Sequence, residues 1–101
     1  MQKVIIQDIA KMSDDWYAVY FCGPERSQYA MNVFLARQPK EYAYWDENGL
    51  HGKGAWIIRL DFFRRLTARF ENVERAIVIA ERVAALKQIN MLATQRRTKR
   101  R

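Results

Sequence analysis

A catalytic centre needs a nucleophile, a base or a set of metal ligands held together, and this chain offers few of them. His51 is the only histidine and Cys22 the only cysteine. His51 lies in the run Gly49-Leu50-His51-Gly52-Lys53-Gly54, just after Asp46 and Glu47. An imidazole held there by a carboxylate would be a general base. A Cys22–His51 pair would be a nucleophile with its base, but no spacing in the sequence brings the two together. A cysteine at a strand end among aromatic residues reads instead as a small buried hydrophobe. One histidine and one cysteine cannot make a two-histidine or a cysteine-rich metal site. The Gly52-Lys53-Gly54 run lacks both the full phosphate-loop pattern and the helix that would aim backbone N–H groups at a phosphate. Asp14-Asp15 and Asp46-Glu47 fall in turns, where short carboxylates are favoured for conformational reasons. The chain therefore reads as non-enzymatic, with no catalytic residues, no metal and no cofactor expected.

Charge carries more information. The 101 residues have a net charge of +7. Residues 1–58 sum to −1, whereas residues 59–101 hold twelve basic and four acidic side chains and sum to +8. Five of those cations are Arg96, Arg97, Lys99, Arg100 and Arg101, and the chain without them carries only +2. Such asymmetry points to a polyanionic partner. Guanidinium groups bind phosphate in a bidentate manner, and each phosphate neutralised steepens the salt dependence of binding by about 0.9 log units. The bland alternative is a solvating tail, or cations answering the dipole at a helix C-terminus. A second cluster is Arg59, Arg64, Arg65 and Arg69, of which Arg64, Arg65 and Arg69 would form a basic ridge if this segment is helical. Asp61 and Arg65 are four apart and would then pair.

Aromatic residues are the third candidate. Tyr42, Tyr44 and Trp45, beside the glycine-rich run, are the rings expected to be exposed and available for stacking on single-stranded bases. Against this, no strand carries the basic-Gly-aromatic signature of RNA-binding sheets, and a small core needs most of its rings for filling.

The elements that must position these residues follow from periodicity. Residues 4–9 and 16–22 read as strands separated by the turn residues Ser13-Asp14-Asp15. After the turn-forming run Gly23-Pro24-Glu25-Arg26-Ser27, residues 28–36 alternate, with Tyr29, Met31, Val33 and Leu35 on one face. The expectation is a strand paired with 16–22 in a hairpin. Residues 42–45 and 55–58 suggest a second hairpin whose long loop, 46–54, contains Asn48-Gly49. From Asp61, a helix N-cap candidate, Phe63, Leu66 and Phe70 recur at helical spacing, although Phe62, Leu66, Ala68 and Phe70 also satisfy a strand. Asn72 is an N-cap candidate for a long helix over 73–93, with Glu74 in its first turn. Its apolar stripe is Val73, Ala76, Ile77, Ala80, Val83 and Ala84. The two stripes keep phase, so one continuous bent helix is the alternative. Val78, Ala85 and Ile89 fall on the opposite, polar face with Glu74, Arg75, Glu81, Arg82 and Gln88. They are either covered by the domain itself or form a seam for a second chain, a homodimer or a partner.

The fold expected is α+β: an antiparallel sheet of three to five strands packed by a long C-terminal helix, with a short helix before it. Residues 1–94 are expected to form one globular domain and 95–101 a basic, flexible tail. No apolar run approaches the roughly 18 residues of a membrane span, and the N-terminus, with Asp8 inside it, does not resemble a signal peptide. A reducing, cytoplasmic setting is expected. The function expected is a non-enzymatic accessory or regulatory protein holding DNA or RNA by its backbone with little sequence preference. An acidic protein surface is the other candidate partner. The rival reading is a small inhibitor or adaptor, of the kind phages and plasmids carry, that occludes a surface of a host defence or transcription complex.

Overall fold

The computed structural model describes residues 3–99, and the side chains of 3–94. Five strands and three α-helices follow in the order β1 (Val4–Lys11), β2 (Trp16–Cys22), α1 (Glu25–Ala36), β3 (Ala43–Leu50), β4 (Lys53–Arg59), α2 (Leu60–Arg65), β5 (Phe70–Glu71) and α3 (Val73–Lys99). The strands form one sheet in the order β3-β4-β2-β1-β5. Pairing is antiparallel except between β1 and the two-residue β5, which run parallel. The expected α+β class is what the chain adopts, with the sheet mixed at this one edge.

The turn at Ser13-Asp14-Asp15 joins β1 to β2, so these two strands form the first hairpin, with the Met12 and Ser13 amides donating to the Trp16 carbonyl. The hairpin expected between 16–22 and 28–36 does not exist, because residues 28–36 belong to helix α1. Pro24 stands at the N-cap and cannot donate a hydrogen bond, Glu25 places a negative charge in the first turn, and Gln28 N–H closes on the Pro24 carbonyl at 3.0 Å. Met31 and Leu35, four apart, are the buried pair, while Tyr29 of the apparent alternation is 72% exposed. Two positions on one helix turn, rather than four on a strand face, meet the core.

The second hairpin is β3–β4, but its turn is not at Asn48-Gly49. His51 (φ 48°) and Gly52 (φ 78°) make the reversal, the pair of positive φ angles that suits the twist of a two-residue hairpin. Asn48 and Gly49 lie within β3, where the register shifts between Asp46 and Leu50. The segment after β4 takes both readings offered by its sequence in turn. Helix α2 ends at Arg65, a 3-10 turn covers Leu66–Ala68, and Phe70 pairs with Val4 as β5. Asp61 is not the N-cap, a position held by Arg59; its carboxylate instead accepts from the adjacent Phe62 amide. One continuous bent helix is excluded, since Asn72 breaks it with a left-handed φ of 57°. The Asn72 carbonyl still accepts the first bond of α3, from Ala76 N–H at 3.0 Å. The helix then runs past residue 93 to Lys99.

One face of the sheet carries the main core. Val4, Tyr17, Val19, Phe21, Trp56 and Ile58 pack there against Met31 and Leu35 of α1, Phe63 of α2, and Val73, Ile77 and Ala80 of α3. The opposite face holds a smaller cluster in which Leu50, close to the hairpin turn, packs on Ala18, Ala55 and Ile57. At β1 the register slips between Ile6 and Asp8, and the Asp8 carboxylate accepts from the Ile9 amide at 2.9 Å.

Candidate nucleic-acid interface

The expected ridge of Arg64, Arg65 and Arg69 does not form as one line, because the helix that would align it stops at Arg65. The chain's corner sends the three in different directions. Arg64 Nε lies 3.1 Å from Glu74 Oε1 in the first turn of α3. Arg69 places its guanidinium 3.9 Å from the centroid of the Phe34 ring, on α1, an attraction of a cation for the ring face. Arg65 is exposed near Asp61 but is not its ion-pair partner. That place is taken by Arg59, whose Nε and Nη2 donate to the two Asp61 oxygens at 2.7 and 2.8 Å. The fork-to-fork bond from Arg59 holds the Asp61 carboxyl below the usual carboxylate range, helped by the Phe62 amide. Two sequence-expected phosphate contacts therefore already have intramolecular roles.

The aromatic candidates also separate. Tyr42 stacks on Phe62 at 5.4 Å and carries the Arg59 guanidinium 4.9 Å from its own centroid. Tyr44 leans on Trp16 across the opposite sheet face, with centroids 5.6 Å apart. Trp45 meets Trp56 edge-on at 5.5 Å and lies over Gly54, where an added Cβ would sit 2.3 Å from its Cζ2 atom. Trp56 in turn donates from Nε1 to Asn32 Oδ1 at 3.0 Å. Of the three candidate rings, Trp45 is the most exposed, at 49%, and it lines an open cleft of about 740 Å³ with Tyr20, Asp8, His51 and Lys53. His51 finds Asp8 of β1, not Asp46 or Glu47, with Nε2 3.6 Å from Oδ2. That distance is too long for a hydrogen bond. Cys22 is half-buried at the end of β2, opposite Ile5.

Helix α3 assembles the remaining candidates. Val73, Ile77 and Ala80 are buried and Ala76 and Ala84 half-buried, but Val83 of the expected core stripe is exposed. Ala80 is the last buried side chain, and every side chain from Ala85 to Thr94 is exposed. The 19 residues from Glu81 to Lys99 extend about 28 Å at the usual helical rise, consistent with a molecule measuring 58 × 23 × 23 Å. Val78, Ala85 and Ile89, the expected seam, all lie exposed. Met91 and Leu92, which the sequence reading did not assign to the seam, are exposed as well.

The charge border coincides with this departure from the body. Glu81 is the last acidic residue, so residues 1–81 have zero net charge and residues 82–101 carry the whole +7 in seven cations with no acid among them. Dividing the chain at residue 58 hid this, and the signal that reveals it is the final carboxylate. Arg96, Arg97 and Lys99 occupy helical backbone at the far end of α3. Their side chains, together with Arg100 and Arg101 as a whole, lie outside the described part of the molecule.

Among the described residues no group of three or more His, Cys, Asp or Glu side chains could hold a metal ion, and no helix is long and apolar enough to cross a membrane. Compared with protein-family models, with curated proteins and with solved structures, the chain matches none.

Proposed function

We propose that this protein is a non-enzymatic, nucleic-acid-associated accessory protein that lays a cationic helical arm along a phosphate backbone. The observation that carries the reading is the coincidence of two borders. The charge becomes uniformly positive after Glu81, one residue past the last buried side chain of α3. A neutral body with a projecting positive rod presents cations to an extended polyanion without burying them, so each contact releases counterions and none depends on base identity. Arg65 and the exposed Trp45 supplement the arm as secondary contacts.

The test is binding of labelled duplex and single-stranded oligonucleotides at about 50 and about 200 mM salt, by the full chain and by a chain ending at Thr94. The full chain is expected to lose affinity steeply between the two salts, by about 0.9 log units per log of salt for each phosphate contacted. The shortened chain should bind more weakly and with a shallower slope. Equal, salt-insensitive behaviour of the two chains would overturn the reading. The rival, an inhibitor or adaptor that occludes a protein surface, draws support from the apolar residues exposed along α3. It would be favoured if neither oligonucleotide bound at the lower salt.

A further inference from the structure

We infer that the cleft between β2 and the tip of the β3–β4 hairpin holds an unpaired base of a single-stranded nucleic acid. The inference rests on the nucleic-acid reading of the arm and adds to it a site on the body. The cleft exists because the sheet divides. Pairing of β2 with β4 ends at Val19↔Trp56, although β2 runs on to Cys22 and β4 begins three residues earlier, at Lys53. The register shift of β3 between Asp46 and Leu50 falls at the same end of the hairpin. The hollow that opens there, about 740 Å³, is lined by Tyr20 from β2 and Trp45 from β3. Its size suits a small ring-bearing ligand.

Trp45 is held in place without being covered. Trp56 meets it edge-on at 5.5 Å, and Gly54 lies so close that an added Cβ would sit 2.3 Å from its Cζ2 atom. Gly54 does not have a positive φ, so it is the indole, not the backbone, that calls for glycine there. Seated in this way the ring is still 49% exposed, and Tyr20 is 44% exposed. A fixed, half-open ring is a platform on which any base can stack by its π-face. A base paired and stacked inside a duplex does not offer that face to a side chain. Lys53 adds a cation to the lining. The one carboxylate there, Asp8, is already engaged: Oδ1 accepts from the Ile9 amide at 2.9 Å, and His51 Nε2 lies 3.6 Å from Oδ2. Gln7, Asp8 and His51 also line the neighbouring hollow, which reaches Lys87 of α3. A strand leaving the cleft on that side arrives at the cationic half of the helix.

Fluorescence anisotropy of a labelled single strand and of the matching duplex, at about 100 mM salt, tests it with the full chain, Trp45→Leu and Tyr20→Leu. Both side chains are exposed, so circular dichroism should show both variants folded. Each variant should bind the single strand about tenfold more weakly than the parent, with duplex affinity within about twofold. The single strand should also quench the parent's tryptophan emission. Trp45→Leu should lose most of that quench, because Trp16 and Trp56 do not line the cleft. Binding of both oligonucleotides by the parent, unchanged in both variants, would overturn this inference and leave the arm reading standing. Equal losses for duplex and single strand would overturn it as well, since a stacked base exists only in the latter. Absence of binding to either oligonucleotide would overturn the arm reading and this one together.

Discussion

Tyr17 is a residue whose two ends face different problems. Its ring is fully buried in the main core, while its hydroxyl donates to Glu81 Oε1 at 3.0 Å. Burial, followed by that bond to a carboxylate, pushes the hydroxyl up to about 12 from an ordinary 10.0. The folded state therefore favours the protonated phenol. Its stabilising contribution is complete below pH 10 and is lost as the pH rises through about 12. Replacing Tyr17 with Phe should flatten the alkaline limb of stability, so that the urea midpoint of the variant falls less than the parent's between pH 10 and 12. Parallel falls would show that Tyr17 does not titrate as its surroundings require. At this scale the site was only partly legible. Arg64 and Arg69 looked like free cations because their partners, Glu74 and Phe34, lie across a chain corner and on another helix. Local spacing instead suggested Asp61–Arg65, where the chain uses Arg59–Asp61. The carboxylate beside the single histidine comes from β1, not from the neighbouring Asp46 or Glu47, and only the hairpin's packing could reveal it.

Among the elements, the joint between β5 and α3 depends on one backbone conformation. Asn72 holds φ at 57°, a region that asparagine and glycine tolerate and β-branched residues do not. Asn72→Val should destabilise the fold by about 1–3 kcal/mol in urea unfolding, whereas Asn72→Gly should remain within about 1 kcal/mol of the parent. Equal losses for the two would mean that the Asn72 side chain matters more than its dihedral angle. The long helix and the central strand β2 were legible because their signals are unambiguous: Val73, Ile77 and Ala80 repeat only as a helix, and 16–22 is a run of strong strand formers. Residues 28–36 were not, because Tyr29, Met31, Val33 and Leu35 satisfy period two, while the buried pair Met31 and Leu35 also satisfies i, i+4. The deciding signals lay just upstream, in Pro24 followed by Glu25, which open a helix as readily as they close a turn. The segment 60–71 supports two periods because it contains two elements in succession, α2 and β5.

The whole molecule is a neutral body with a positive lever, and the body should not need the lever in order to fold. No described side chain beyond Ala80 is buried. A chain ending at Gln88 should therefore keep its near-ultraviolet circular dichroism and unfold cooperatively. Loss of the near-ultraviolet signal would show that the outer turns of α3 belong to the core after all. The slipped register of β1 has a consequence at this scale as well. An extended strand with idle amides on one flank is a template on which foreign strands polymerise. Along β1 the Asp8 carboxylate occupies the Ile9 amide, and the slip breaks the even spacing that a newcomer would have to match. The part of β1 that the two-residue β5 leaves unpaired is thereby a poor template for fibrillar growth.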